Sequence, residues 1–426
     1  MRWLAVVLIV AGGAAASALP APEPPAPNDF PEPATPSVAV CPLEEGSGRT
    51  TDLTIVASLN RPVEVSVFGI GTNEEPLSTV TGPTGSVTIH SGDLPAVGRV
   101  GALVEMSGEL AAGFTTAGQG SFAGEPCFHQ PPARQTFISG GSTAQGHEFE
   151  LQLFNPYAGE AVVNLIVQSE TGRESNERFD SLVVPARGFT LVDFSRLIPG
   201  RQTISVAVEA ASGSAVALGA QRKGGDNATW RAVEAVADWY LPIPAGLPGT
   251  RIQLATPMNA EVEYQVDLIG PDGLLQAWQS GVLPPRGSAT LDLADLGGAT
   301  AAVRVVAAGP LVPTLWAESE AGLAATTATP VQAGSWLLPG AAAPPGGSGT
   351  LVLFNTGVES TVATVRTIRD GAIQQEVSLG VDVVVEVPLA AASSYRVDSD
   401  GAIVAMWLAR QGGSALAAVG VPLNDG

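Results

Sequence analysis

Internal repetition constrains this chain more than any other feature. Leu151-Gln152-Leu153-Phe154-Asn155-Pro156 recurs as Ile252-Gln253-Leu254-Ala255-Thr256-Pro257 and as Leu351-Val352-Leu353-Phe354-Asn355-Thr356, at offsets of 101 and 99 residues. Val184-Pro185-Ala186-Arg187-Gly188 matches Leu283-Pro284-Pro285-Arg286-Gly287 at 99, and Tyr240-Leu241-Pro242 matches Leu337-Leu338-Pro339 at 97. One period shared by separate segments marks a supersecondary unit copied along the chain. A further block, around 104–108, 208–213, 306–309 and 397–401, carries the period toward the N-terminus. Each copy of that block precedes an apolar run ending near Phe114, Leu218, Trp316 or Trp407, and reads as a hairpin apex. Set against the residues after 37, the period gives four units of about 97 residues, the size of a small β-sandwich.

The local pattern within a unit is that of strands. Val162-Val163-Asn164-Leu165-Ile166-Val167 is short and β-branched, and Val262-Glu263-Tyr264-Gln265-Val266-Asp267-Leu268 alternates strictly, as a strand with one wet face does. Gly270-Pro271-Asp272-Gly273 and Asp370-Gly371 supply tight-turn chemistry. No segment carries a capped 3.6-residue period. The expected fold is all-β: a tandem array of four Ig-like antiparallel β-sandwich units, following one another in a row. The expected boundaries are 38–127, 128–236, 237–332 and 333–426, the first unit being the most divergent.

Ahead of them lies an N-terminal segment of a different kind. Met1-Arg2-Trp3 is followed by an apolar run, and Ala16-Ser17-Ala18 fits a small-x-small cleavage site, so 1–18 reads as a signal peptide. Counted from Trp3 to Leu19, the run is also at the lower edge of bilayer-spanning length, which leaves an uncleaved membrane anchor as the alternative. Either reading places the remainder outside the cytoplasm, secreted or tethered to the outer face of the membrane. Residues 19–37 hold eight prolines, too many for a packed core. They form a disordered linker, a stalk or an inert leader, with an extended reach of roughly 60 Å.

Composition narrows the chemistry. The 426 residues carry 20 Lys and Arg against 41 Asp and Glu, a formal charge of −21, and the one lysine is Lys223. Nucleic-acid binding is excluded as an expectation, because phosphate contacts need clustered cations and the arginines here are scattered. Cys41 and Cys127 bracket the first unit, and an even pair in an exported chain favours a disulfide. Closing so long a loop stabilises by about 4–5 kcal/mol in the chain-entropy picture.

Motifs that could carry catalysis fall short on inspection. His147-Glu148-Phe149-Glu150-Leu151 begins like a zinc-protease helix, but Leu151 stands where the second histidine is required. His90 and His129 have no ligand spacing to it. Gly140-Gly141-Ser142-Thr143-Ala144 and Gly346-Gly347-Ser348-Gly349-Thr350 lack the final glycine of a nucleophile elbow and precede strands. Asp398-Ser399-Asp400-Gly401 has too few ligands for calcium and reads as a turn. Trp239 and Trp336 open matching units, while Trp316 and Trp407 share one aligned strand position, which points to packing more than to sugar stacking. Asn227-Ala228-Thr229 matches a glycosylation sequon in a polar stretch between units. No catalytic residue, cofactor site or metal site is expected, and the chain is not expected to be an enzyme.

The whole pattern resembles a family of exported actinobacterial proteins known as domain of unknown function 5719. The resemblance is carried by Phe154-Asn155-Pro156, Phe354-Asn355, Gly270-Pro271-Asp272-Gly273, Leu283-Pro284-Pro285-Arg286-Gly287 and the block around Val208. It implies an exported repeat protein without an established activity. One departure is Val383-Val384-Val385, where earlier units carry Arg-Gly. The functional expectation is a cell-envelope scaffold or interaction module contacting an envelope protein or a cell-wall glycan. A carbohydrate-binding module, with Trp278 or Trp407 exposed, and a hydrolase with a site between units are the alternatives.

Overall fold

The computed structural model describes residues 37–43, 50–57, 63–69, 78–82, 86–90, 100–106, 110–118, 121–129, 133–270, 273–320, 322–368, 371–390 and 394–423. The signal or anchor segment 1–18 and all of the linker except Ser37 lie outside the described residues. No helix among the described residues is long and apolar enough to cross a membrane.

The regular structure of the described residues is almost entirely antiparallel β, and the strands pair within consecutive sets. In the first set Ser37–Leu43 (β1), Thr50–Ala57 (β2), Val63–Gly69 (β3), Ser78–Gly82 (β4), Ser86–His90 (β5), Val100–Met106 (β6), Leu110–Gly118 (β7) and Ser121–Pro126 (β8) form two sheets. Their orders are β1-β6-β3-β4 and β5-β2-β7-β8. The second set comprises Gln135–Gly141 (β9), His147–Asn155 (β10), Ala161–Ser169 (β11), Gly172–Glu174 (β12), Leu182–Val184 (β13), Gly188–Asp193 (β14), Ile204–Ser212 (β15), Val216–Lys223 (β16) and Asp226–Arg231 (β17). It repeats the plan as β9-β15-β11-β12, with β13 beside β11, and β14-β10-β16-β17. The two sheets face each other, because Ile138, Leu165, Val167 and Val206 from one share a core with Phe149, Leu151, Leu153, Ala217 and Trp230 from the other. That is a β-sandwich.

The third set comprises Val236–Ile243 (β18), Thr250–Ala255 (β19), Val262–Gly270 (β20), Gly273–Leu283 (β21), Ser288–Asp292 (β22), Ala301–Glu318 (β23) and Leu323–Thr327 (β24). The fourth comprises Ala333–Leu338 (β25), Ser348–Asn355 (β26), Thr361–Thr367 (β27), Ile373–Leu379 (β28), Val384–Leu389 (β29), Tyr395–Gln411 (β30), Ser414–Val419 (β31) and Val421–Leu423 (β32). In both, one long strand serves two sheets. The first half of β23 pairs with β18 and β20, and its second half with β19 and β24. Likewise β30 pairs first with β25 and β27, then with β26 and β31.

This corrects the expected hairpin apices. Gly309-Pro310 and Asp400-Gly401 lie inside β23 and β30, where the strand bends from one sheet into the other. The pairing register slips at these bends, between Val236/Asp238 and between Ala333/Ser335. A hairpin and a sheet-switching strand share one sequence pattern, apolar run, small residues, apolar run. Only the partners of the two halves distinguish them. Trp239 and Trp336 fix the far side of each bend, donating from Nε1 to the carbonyls of Leu311 (2.8 Å) and Ile403 (3.0 Å).

The repeated motifs turn out to be structural. Asn155 is fully buried, donates from Nδ2 to the Gly159 carbonyl (2.7 Å), and accepts the Tyr157 amide at Oδ1 (2.9 Å). Asn355 makes the same pair with Glu359 and Gly357, both at 2.9 Å. Arg187 and Arg286 hold φ of 49° and 52°, and Asp382 occupies the equivalent turn at 51°. The Arg-Gly pair is therefore a turn device, and its loss in the fourth set removes no shared site.

Residues 36–426 form one compact unit, so the sets are not spaced along an extended row. The last strands of the first three sets, β8, β17 and β24, and the penultimate strand of the fourth, β31, meet along one axis: β8 packs on β17 and β31, and β24 packs on β17 and β31. The first set thereby closes onto the fourth. Each neighbouring pair is in contact elsewhere too. A Cβ on Gly101 would strike the Phe154 ring, and one on Gly140 would strike Trp316. Arg410 donates to the Ala245 carbonyl, and a Cβ on Gly113 would press on Pro339.

Candidate functional site

The axis where these four strands meet is polar at one end and largely buried. Asp226, Asn227, Ser121 and Ser414 are each at most 6% exposed. Asp226 Oδ1 accepts the Ser414 hydroxyl (2.7 Å), Oδ2 accepts the Leu323 amide (2.6 Å), and Ser414 Oγ accepts the Phe122 amide (2.8 Å). Ser121 donates to Asn227 Oδ1. These bonds join all four sets through one carboxylate, and burial raises its pKa above the usual aspartate value. The sequon expected in a polar stretch between units is instead part of the buried strand β17, its Asn227 wholly inaccessible. Asn227 pairs across the axis with Ser121, a role that short-range composition does not reveal.

Farther along the axis the Arg231 guanidinium approaches the buried Glu125 carboxyl at 3.5 Å. Burial dominates over Arg231 and pushes the Glu125 carboxyl up to about 8. His129 accepts the Ala112 amide at Nε2 (2.8 Å), so that nitrogen is unprotonated. Burial and the nearby Arg231 charge push its pKa down to about 3. Cys41 and Cys127 form a disulfide with Cα atoms 4.7 Å apart, beside the paired amides and carbonyls of Val40 and Phe128. It anchors β1 to the segment that leaves the axis.

A second polar feature opens between the second and third sets. A cleft of about 440 Å³ is lined by Ser142, His147, Gln202, Lys223, Arg251 and Glu318, among others. Glu318, at the end of β23, draws three bases. Its Oε1 accepts Lys223 Nζ at 2.6 Å and lies 3.2 Å from His147 Nε2, and Oε2 accepts Arg251 Nη2 at 3.0 Å. The bond from His147, then those from Lys223 and Arg251, hold the carboxyl far below the usual glutamate range against the opposing effect of burial. His147 stands opposite Lys223 in the β10–β16 ladder, which explains why two bases from distant sequence share one edge. Sequence reasoning considered His147 alone, as a failed zinc ligand. Lys223, Arg251 and Glu318 were missed, although the uniqueness of Lys223 was a usable signal.

Among the described residues no three His, Cys, Asp or Glu side chains converge as a metal site. Trp230, Trp239, Trp316, Trp336 and Trp407 are each at most 2% exposed. Trp230 and Trp316 meet edge to face across the boundary between the second and third sets, with centroids 4.9 Å apart. Trp278 is half-buried against the hydrophobic core. Ser142 is buried in the loop after β9, where its hydroxyl donates to the Arg201 carbonyl at 3.1 Å.

A family model described as a family of unknown function, DUF5719, matches residues 99–390. No curated protein matches the chain. Among solved structures, the pilus backbone RrgB of Streptococcus pneumoniae is 12% identical, with 48% of this chain and 80% of that one covered and a TM-score of 0.14. A family 32 glycoside hydrolase from Bifidobacterium adolescentis is 9% identical, with 88% and 99% covered and a TM-score of 0.17. Salmonella α2-macroglobulin reacted with methylamine is 11% identical, with 88% and 30% covered and a TM-score of 0.13. Scores at this level establish no common whole-chain fold, and no role follows from them.

Proposed function

Because the chain belongs to the DUF5719 family, whose function is unknown, we propose a role from its architecture: a non-catalytic, extracytoplasmic scaffold that contacts an envelope protein. The observation that carries this reading is the closed ring of strand sets around a buried axis. Trp230, Trp239, Trp316, Trp336 and Trp407 are committed to cores and to boundaries between sets, which favours a stiff body over a deep catalytic pocket. Placement outside the cytoplasm follows from the sequence pattern of residues 1–18, and the proline-rich linker would act as the tether.

Burial disfavours a glycan surface based on Trp407, and Trp278 presents only part of its ring. A hydrolase using paired carboxylates is also disfavoured at the cleft between sets, since Glu318 there is already held by three bases. The test is retention of the purified chain on envelope fractions of the host, with and without soluble glycans, and after protease treatment of the fractions. Retention abolished by protease and unaffected by glycans is expected. Displacement by a glycan, or turnover of a wall polymer, would overturn the proposal.

A further inference from the structure

The cleft between the second and third sets has a charge balance that its own residues do not complete. Lys223 and Arg251 are permanent cations, whereas Glu318 is the one carboxylate among the residues lining the cleft. An ammonium has three N–H donors and a guanidinium five. Glu318 takes one from Lys223 (2.6 Å) and one from Arg251 (3.0 Å). Arg251 also lies over the Trp316 ring, 5.7 Å from its centroid, which orients the guanidinium without using its donors. Both cations are about one-third exposed, so their remaining donors are accessible. The His147 side chain is more deeply buried, and its Nδ1 has no hydrogen-bond partner.

We propose that this cleft binds a carboxylate monoanion, which docks beside Glu318 on the unused donors of Lys223 and Arg251. The volume of about 440 Å³ accommodates a small organic acid or one acidic side chain. Glu318 demonstrates that these bases receive a carboxylate at hydrogen-bonding distance. Among the lining side chains two fixed cations against one fixed anion leave a single positive charge, which a monoanion neutralises and a phosphate dianion overcompensates. The neighbouring Glu170 carboxylate, bonded to the Gln202 and Thr203 amides, weighs further against a dianion. The site is also a local exception in a chain of formal charge −21, so long-range repulsion will select against highly charged ligands. This inference does not depend on the scaffold role or on placement in the envelope.

The single lysine makes the test direct. The full chain is grown with ¹³C-labelled lysine, so that its side-chain spectrum reports Lys223 alone. It is titrated with acetyl-glutamate amide, with the neutral isostere acetyl-glutamine amide, and with inorganic phosphate. Saturable movement of the Lys223 ε-carbon signal by the glutamate compound is expected, with the glutamine compound and phosphate each about tenfold weaker or more. Calorimetry with Arg251→Met should show about tenfold weaker binding of the glutamate compound, while Lys223→Arg should retain it because the charge is preserved. An unshifted melting temperature for Lys223→Arg guards against misfolding. Absence of saturation, equal binding of the neutral isostere, or tighter binding of phosphate would each overturn the proposal.

Discussion

Replacing Gly140 by alanine should strike the boundary between the second and third sets directly. Gly140 has φ of +96°, and an added Cβ would lie 2.0 Å from Trp316 Nε1 and 2.9 Å from Cδ1. The indole has little room to retreat, since Trp230 packs edge-on against it and Arg251 covers it. Backbone strain at such a φ costs about 1–3 kcal/mol, and overpacking a closed site adds about 1–3 kcal/mol. Gly172 supplies the control, because its φ is +110° but nothing lies within 4 Å of its Cβ position. Gly172→Ala should therefore incur the strain alone. Urea titrations followed by tryptophan fluorescence should show a larger midpoint loss for Gly140→Ala, by about 1–3 kcal/mol after multiplication by a common m-value. Equal losses would refute the packing of Trp316 on Gly140, and with it this boundary between sets.

Four further outcomes are expected. Glu125 has a pKa raised to about 8 by burial, so the native state binds its proton more tightly than the unfolded chain. Its contribution to stability falls as pH rises from about 4.5 toward 8, and urea midpoints of Glu125→Gln should lose that part of the pH dependence. Glu318 behaves oppositely, its pKa being depressed by His147, Lys223 and Arg251. Its stabilisation should be lost as pH falls below about 4.5, a loss absent from thermal melts of Glu318→Gln. Ser414→Ala should cost about 1–3 kcal/mol by leaving the buried Asp226 and Phe122 amide short of partners, as measured by denaturant titration. Reduction of Cys41–Cys127, which spans a sequence separation of 86, should remove about 4–5 kcal/mol, read from the unfolding of oxidised and reduced samples.

Legibility from sequence tracked the range of the interaction. The Asn155 and Asn355 caps, the left-handed Arg187 and Arg286 turns, and the strands carrying them are local devices, and the repeated motifs mark their positions. Bends within β23 and β30 look locally like hairpins, because small residues interrupt an apolar run in both cases. Ring closure left no local trace. It depends on glycines admitting a distant ring, such as Gly101 against Phe154, and on bonds such as Phe122 to Ser414 across 292 positions. Asn227 illustrates the same limit, since it reads as part of a polar stretch between units until its partner Ser121 is placed beside it. The Glu318 cluster joins four strands from two sets, so only the lone lysine hinted at it.

Closure of the first set onto the fourth is most directly tested by small-angle X-ray scattering of residues 36–426, the compact unit. A closed body of this length should have a radius of gyration of about 21 Å. Four sandwiches in a row, each about 30 Å long, would instead give a rod with a radius of gyration of about 35 Å. A value near the first, with a single-peaked distance distribution, is what the ring predicts. A value near the second, with a long tail in that distribution, would contradict it.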